Sequence, residues 1–142
     1  MQVILTHENA DFDALASLLA ASKLYPEAIP VLPRRLNRNL RRFLALYGDE
    51  LPFVRADDLP RQPIEQVILV DTQTVSILKD LVEGARVRII DHHPLSRELE
   101  PGMTFCGEEI GATTTLLVER ICEAGLPLSP IEATLLLLGI YE

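Results

Sequence analysis

Three segments, QVILT (2–6), QVILVD (66–71) and RVRIID (86–91), are runs of Val, Ile and Leu, short and rich in β-branched side chains. Strands this apolar must be buried on both faces, and the arrangement that does so is a parallel sheet with helices crossing over it. The intervening sequence fits that demand. DALASLLAASKLY (13–25) has apolar residues at helical spacing, and AIPVLP (28–33) reads as a further strand. NRNLRRFLALYG (37–48) places Leu40, Phe43, Leu44 and Tyr47 on one helical face, with Gly48 as a stop. LPFVRA (51–56) is a weaker strand because of its proline, and a short helix is expected over about 75–83. GATTTLLVERICEAG (111–125) and SPIEATLLLLGIYE (129–142) read as helices, the second opened by Ser129 as N-cap with Pro130 in the first turn. The expected fold class is α/β, a three-layer Rossmann-like parallel sheet with helices on both faces.

A chain of 142 residues, 48% of them apolar, suffices for one domain spanning 1–142. Its formal charge of −8 argues against a protein that coats nucleic acid through a broad basic surface, but not against an enzyme of phosphates that borrows positive charge from metal ions. Cys106 and Cys122 are too few for a disulfide scaffold and are read as core residues; a reducing cytoplasm is the expected location. MQVILTHENADFDAL meets charged residues too early for a signal peptide or a membrane span. The last residues, LLLLGIYE, form an apolar run without a polar tail, which is expected of a fragment of a longer protein.

Three strands end in the same chemistry. The first leads to His7, Asp11 and Asp13, the fourth to Asp71, and the fifth to Asp91, His92 and His93. In an open parallel sheet ligands bind beyond the carboxyl ends of the strands, so residues far apart in sequence converge on one edge. Carboxylates gathered there repel one another unless a cation lies among them. Imidazoles mixed with carboxylates suit manganese, iron, cobalt or zinc, and magnesium where oxygen dominates. Five or six such ligands exceed what one tetrahedral ion takes, and two ions sharing a carboxylate are a device for phosphoryl chemistry. Singly, each residue has a plainer explanation: Asp13 as a helix cap, His7 as a polar loop residue, the histidine pair as chance. It is their joint order along the chain that points to metal.

THENADFDAL, LVDT and IIDHHP resemble the first three motifs of the DHH phosphoesterase superfamily, whose members include RecJ-like exonucleases, oligoribonucleotide phosphodiesterases, exopolyphosphatases and family II inorganic pyrophosphatases. LNRNLRRFLALYGDELPF and GATTTLLVERI are most similar to the DHH domain fused to CBS and poly(A) polymerase or tRNA nucleotidyltransferase domains. The resemblance implies two divalent ions, Mn2+ preferred and Mg2+ as a substitute. His7 and Asp11 would hold one, Asp13 and His92 the other, and Asp71 would bridge them. His93 and Asp71 would be catalytic, His93 facing the substrate phosphate, and Asp91 would orient the histidines. The family's fourth motif, another metal-binding aspartate after a helix ending GIYED or similar, is not reached before GIYE ends, so weak or absent activity is expected of this fragment.

Arg34, Arg35, Arg38, Arg41 and Arg42 form the chain's basic cluster. Arg38, and Thr113 at the start of a helix, are candidate substrate-phosphate contacts, although a solvated helix face and an ordinary N-cap account for them equally well. The resemblance thus implies a metal-dependent phosphoesterase acting by a two-metal mechanism on short single-stranded nucleic acid or a phosphorylated small molecule. It would work as part of a multidomain, homodimeric, cytoplasmic protein without membrane contact. The alternatives are a pyrophosphatase or exopolyphosphatase, and a non-catalytic RNA- or nucleotide-binding module.

Overall fold

The computed structural model describes residues 1–75, 78–107 and 111–141. Its strands are β1 (Gln2–Leu5), β2 (Asn9–Ala10), β3 (Ala28–Leu32), β4 (Arg35–Leu36), β5 (Val54–Arg55), β6 (Ile64–Val70), β7 (Leu81–Ile90) and β8 (Met103–Cys106). Four α-helices accompany them: α1 (Phe12–Leu24), α2 (Arg38–Tyr47), α3 (Thr113–Ala124) and α4 (Pro130–Tyr141). Six strands form one parallel sheet in the order β5-β3-β1-β6-β7-β8, and β2 pairs with β4 in a small parallel ribbon.

Side chains alternate across this sheet and are buried on both sides, as the unbroken apolar strands require. Ile4, Ile68, Val70 and Ile90 join one core, with residues of α1, α3 and α4. Val3, Leu5, Val67, Leu69 and Ile89 join the other, closed by Ala56 and Leu59 at a 3-10 turn over Ala56–Asp58 and by Val75 and Leu78. α2 enters the first core through Leu40 and Phe43, the latter set edge-on against Phe12 at 5.9 Å between ring centroids. Asn37 caps α2 by accepting the Leu40 amide at 2.9 Å. Ser129 and Glu132 cap α4 reciprocally, each accepting the other's amide.

α4 approaches α1 and α3 closely because of Gly139. A β-carbon there would lie 2.4 Å from Ala16 Cβ and 2.7 Å from Thr114 Oγ1. No helix among the described residues is long and apolar enough to cross a membrane.

The sheet differs from the sequence expectation in several places. The helix expected over about 75–83 is not formed by the described part of that segment: residues 79–80 are a turn and Leu81 already belongs to β7, while residues 76–77 lie outside the described residues. Val75, Leu78 and Leu81 are spaced as on a helix, but they reach the second core from a loop and a strand. Three residues of β6 (Ile64 to Gln66) span the same register as six of β7 (Leu81 to Arg86), and Gly84, at φ 76°, lies in the excess. β8 was not expected, and neither were the two-residue β2 and β4, which are too short to carry a period. Nor are the cysteines core residues: Cys122 is exposed, and Cys106 is half-buried with the Arg120 guanidinium donating to its Sγ. The expected last helix forms over Pro130–Tyr141, and residue 142 lies outside the described residues.

Candidate metal centre

Register decides what meets at the sheet's edge. Leu5 pairs with Leu69 and Val70 with Ile90, so the residues just beyond β1, β6 and β7 emerge side by side. The ladder runs one bond further, from the Asp71 amide to the Ile90 carbonyl at 3.1 Å and from the Asp91 amide to the Cys106 carbonyl at 3.3 Å.

Asp71 lies at the middle of the group. It is 6% exposed and, at φ 57°, the only described residue other than glycine with positive φ, a conformation that costs energy and recurs at functional sites. His7 Nε2 lies 3.3 Å from Asp71 Oδ2, and His92 Nε2 lies 3.3 Å from Oδ1. Asp71 therefore faces a histidine with each oxygen. It also belongs to both groups of donor atoms lying within 4.8 Å of one another: His7, Asp11 and Asp71 in one, Asp71, Asp91, His92 and His93 in the other.

Asp13 adjoins these groups, its Oδ2 3.7 Å from His92 Nε2. Its carboxylate is held by the amides of Thr113 and Thr114 at 3.2 and 2.9 Å and by the Thr114 hydroxyl at 2.7 Å. This explains a missing cap: Ala112 precedes α3 without a side-chain cap, and Asp13 on α1 does that work from across the fold. Asp11, by contrast, caps its own helix, accepting the Ala14 amide at 2.9 Å.

Asp91 is 1% exposed and accepts from three donors: the His92 amide at 2.9 Å, His93 Nδ1 at 2.8 Å and Gln73 Nε2 at 3.0 Å. With its Nδ1 committed to Asp91, His93 keeps Nε2 for another partner, and its side chain is 58% exposed. Gln73 also donates to the Pro94 carbonyl and accepts from the amide and hydroxyl of Ser96, so it ties the segment after β6 to the one after β7.

The electrostatics follow from the crowding. The hydrogen bond to Asp71 raises the His7 pKa above its ordinary value; burial opposes this, and the charges of Asp71, Asp11 and Asp13 add to it. Burial, and then the neighbouring charge of Asp71, push Asp13 above the ordinary carboxylate value, while the bonds from Thr114 and Thr113 pull it down. Buried carboxylates that penalise each other's charge are the donor set that a divalent cation relieves, and the mixed oxygen and imidazole atoms fit manganese or magnesium.

The structure thus brings His7, Asp11, Asp13, Asp71, Asp91, His92 and His93 to one edge. Arg38 is exposed in the first turn of α2, on the solvated face of the basic cluster. Thr113 is a correction: it is fully buried, and its hydroxyl donates to Asp71 Oδ1 at 3.0 Å and accepts the His92 amide at 3.2 Å. It positions the acidic group and is not exposed to a phosphate. Sequence reasoning missed Gln73 and Thr114, which carry no spacing signal; the sole hint was that both stand beside residues already singled out.

A parallel α/β sheet with acids and imidazoles gathered at its carboxyl edge defines the class. The model of the DHH family, N-terminal domain, matches residues 2–140, and the chain belongs to that family. It is 42% identical, over its whole length, to an A-adding tRNA nucleotidyltransferase of Geobacter sulfurreducens, of which it covers 17%. A manganese-dependent inorganic pyrophosphatase of Bacillus subtilis is 28% identical over 99% of the chain, and 47% of that protein is covered. Among solved structures, a candidate family II inorganic pyrophosphatase of Methanococcus jannaschii superposes with a TM-score of 0.70 and 26% identity, over 98% of this chain and 47% of its own. The chain spans about half the length of the pyrophosphatases and about a sixth of the tRNA nucleotidyltransferases.

Proposed function

We propose that this domain is a metal-dependent phosphoesterase that hydrolyses phosphodiester bonds of short nucleic acid or nucleotides, within a multidomain protein related to tRNA nucleotidyltransferases. The observation that carries the reading is Asp71: strained backbone, buried carboxylate, one histidine at each oxygen, and membership of both donor groups. His7 and Asp11 would hold one divalent ion and Asp13 and His92 a second, with Asp71 shared between them; Mn2+ is the preferred ion and Mg2+ the substitute. Ions in such a site polarise a phosphoryl oxygen and acidify water.

The chain's own residues set the geometry. Thr113 and Thr114 hold Asp71 and Asp13 in place, so these carboxylates need no reorganisation when charge arrives. Asp91 fixes the His93 ring through Nδ1 and leaves Nε2 to bind a phosphate oxygen or pass a proton to a leaving group.

Pyrophosphate hydrolysis is the second reading, favoured by the pyrophosphatase relatives at 28% identity and by the superposition. The full-length multidomain protein with Mn2+ should cleave a short oligoribonucleotide or a cyclic dinucleotide faster than pyrophosphate, and Asp71→Asn should abolish cleavage. A preference for pyrophosphate selects the second reading. Absence of all cleavage, with RNA binding that survives Asp71→Asn, would mark a binding module instead.

A further inference from the structure

We infer that the arginine stripe along β4 and α2 is a track for the phosphate backbone of a single nucleic-acid strand leading to the candidate metal centre; the inference rests on the phosphoesterase reading and narrows its substrate class. Arg34, Arg35, Arg38, Arg41 and Arg42 are five of the chain's 13 basic residues, and no Asp or Glu lies between Glu27 and Asp49. All five are exposed. Elsewhere several cations are neutralised: Lys23 pairs with Glu132, Arg61 with Asp80 and Arg97 with Glu100. None of the five arginines has a carboxylate partner among the described residues. Arg38 repels Arg41 and Arg42 one turn on, and an anion from outside the chain relieves that repulsion. The net charge of −8 excludes a broad basic coat but not a local stripe.

Packing places the stripe. Leu40 and Phe43 turn one side of α2 into the core, which leaves Arg38, Arg41 and Arg42, at i, i+3 and i+4, together on the other. β4 pairs with β2, Arg35 opposite Asn9, and β2 lies between His7 and Asp11. A cavity of about 220 Å³ opens there, with Asn9, Asp11, Arg35 and Asn37 in its lining. Asn37 gives its Oδ1 to the Leu40 amide, so its side-chain NH2 is left to donate. The cavity is smaller than the about 300–1,000 Å³ of sites for whole small molecules, and its guanidinium and amide donors suit one phosphate group. From there the stripe runs on along α2, Arg38 and Arg42 standing about 6 Å apart along the axis, so it meets several phosphates in a row. Leu46, 74% exposed, and Tyr47, 37% exposed and tilted against Phe43 at 5.1 Å, lie at its far end. A ring beside a basic track stacks a base, which inorganic polyphosphate does not carry. Arg34 instead lines the cavities beside Ala56, away from Asp11.

Fluorescence anisotropy of the metal-free protein with labelled oligoadenylates of two, six and twelve nucleotides tests this, with Mn2+ affinity measured in parallel. Binding should tighten with strand length, and for the longer strands it should fall about 50-fold between 50 and 200 mM salt, as four phosphate contacts require. Arg38→Gln, Arg41→Gln and Arg42→Gln should each flatten the log–log salt dependence by about 0.7 and leave Mn2+ affinity unchanged, whereas Arg34→Gln should leave the slope as it is. Tyr47→Leu, which keeps an apolar contact for Phe43, should weaken binding of the strand about fivefold or more and leave that of inorganic polyphosphate unchanged. Absence of binding, no gain with length, a loss in Arg34→Gln equal to that in Arg38→Gln, or polyphosphate bound as tightly as a strand of equal charge overturns the inference. So does a preference for phosphatidylserine vesicles over the twelve-nucleotide strand, which would mark a membrane-facing helix. Absence of Mn2+ binding with strand binding intact instead sinks the phosphoesterase reading alone.

Discussion

The two sides of the candidate metal centre are built differently. On one side Asp13, Asp71 and Asp91 are buried and collect donors from three residues: both threonines that open α3, and Gln73. On the other side His7 and Asp11 are half-buried; His7 has the Asp71 carboxylate, and Asp11 is occupied by the start of its own helix. The first side is pre-organised by tertiary contacts, whereas the second is set by local backbone within one loop. Loss of the contacts that hold the first side's carboxylates should therefore cost both fold and metal, and damage to the second metal alone.

The largest effect should come from Asp71, the group common to both sides. Asp71→Asn, whose side chain tolerates the positive φ, should weaken Mn2+ binding by more than the about 10–100-fold that loss of an outer hydrogen-bond partner causes. The metal-free variant should melt no lower than the parent, because a buried charge has been removed. Calorimetry and thermal unfolding of the same sample read both.

Gly139→Ala comes next. Its methyl group would press on Ala16 and Thr114, costing about 1–3 kcal/mol by overpacking and loosening the hold on Asp13. Stability and Mn2+ affinity should fall together in denaturant and binding titrations. Thr114→Val should behave likewise, costing about 1–3 kcal/mol for the hydroxyl hydrogen bond lost from a buried carboxylate. Were Thr114→Val to leave Mn2+ affinity untouched, the idea that one side is pre-organised would fail.

The pH dependence is a subtler probe. His7 is raised in the folded state, so its contribution to stability is complete below the unfolded value of 6.5 and is lost as pH climbs through the raised one. Asp13 is raised too, contrary to the usual carboxylate, so its contribution is complete below 3.8 and is lost as pH rises through its folded value. The melting temperature of the metal-free protein should therefore decline on raising the pH from about 6 to 8, around the ordinary histidine value. Saturating Mn2+ should reverse that slope, since the metal competes with the His7 proton.

Asn37→Ala is the smallest and serves as the control: losing the cap of α2 should cost about 1 kcal/mol and leave Mn2+ affinity unchanged.

Much of this was legible without coordinates. The strand runs at 2–6 and 66–71 stand out because double burial leaves almost no polar face, whereas 86–91 alternates exposed Arg86 and Arg88 with buried Val87 and Ile89, and each run hands an acid or a histidine to the same edge. The segment at 75–83 misled because Val75, Leu78 and Leu81 keep helical spacing whether or not a helix forms; β6 pairing with Leu81 decided the matter. β8 and the β2–β4 ribbon were too short or too mixed to show a period. Thr113 was a candidate for phosphate, with an ordinary N-cap as the equal alternative, because a helix N-terminus suits any anion; here the anions are Asp13 and Asp71 of the chain itself.

The order of polar residues along the chain, read against strand ends, was enough to determine which side chains gather at one edge, since topology sends every parallel strand's carboxyl end there. Which of them are buried, which are shared and which merely hold others was decided by packing. The left-handed turn at Asp71, the capping of α3 by Asp13 and the saturation of Asp91 all depend on contacts between residues distant in sequence. Local preference cannot encode such contacts, because their free energy appears only once the elements have met.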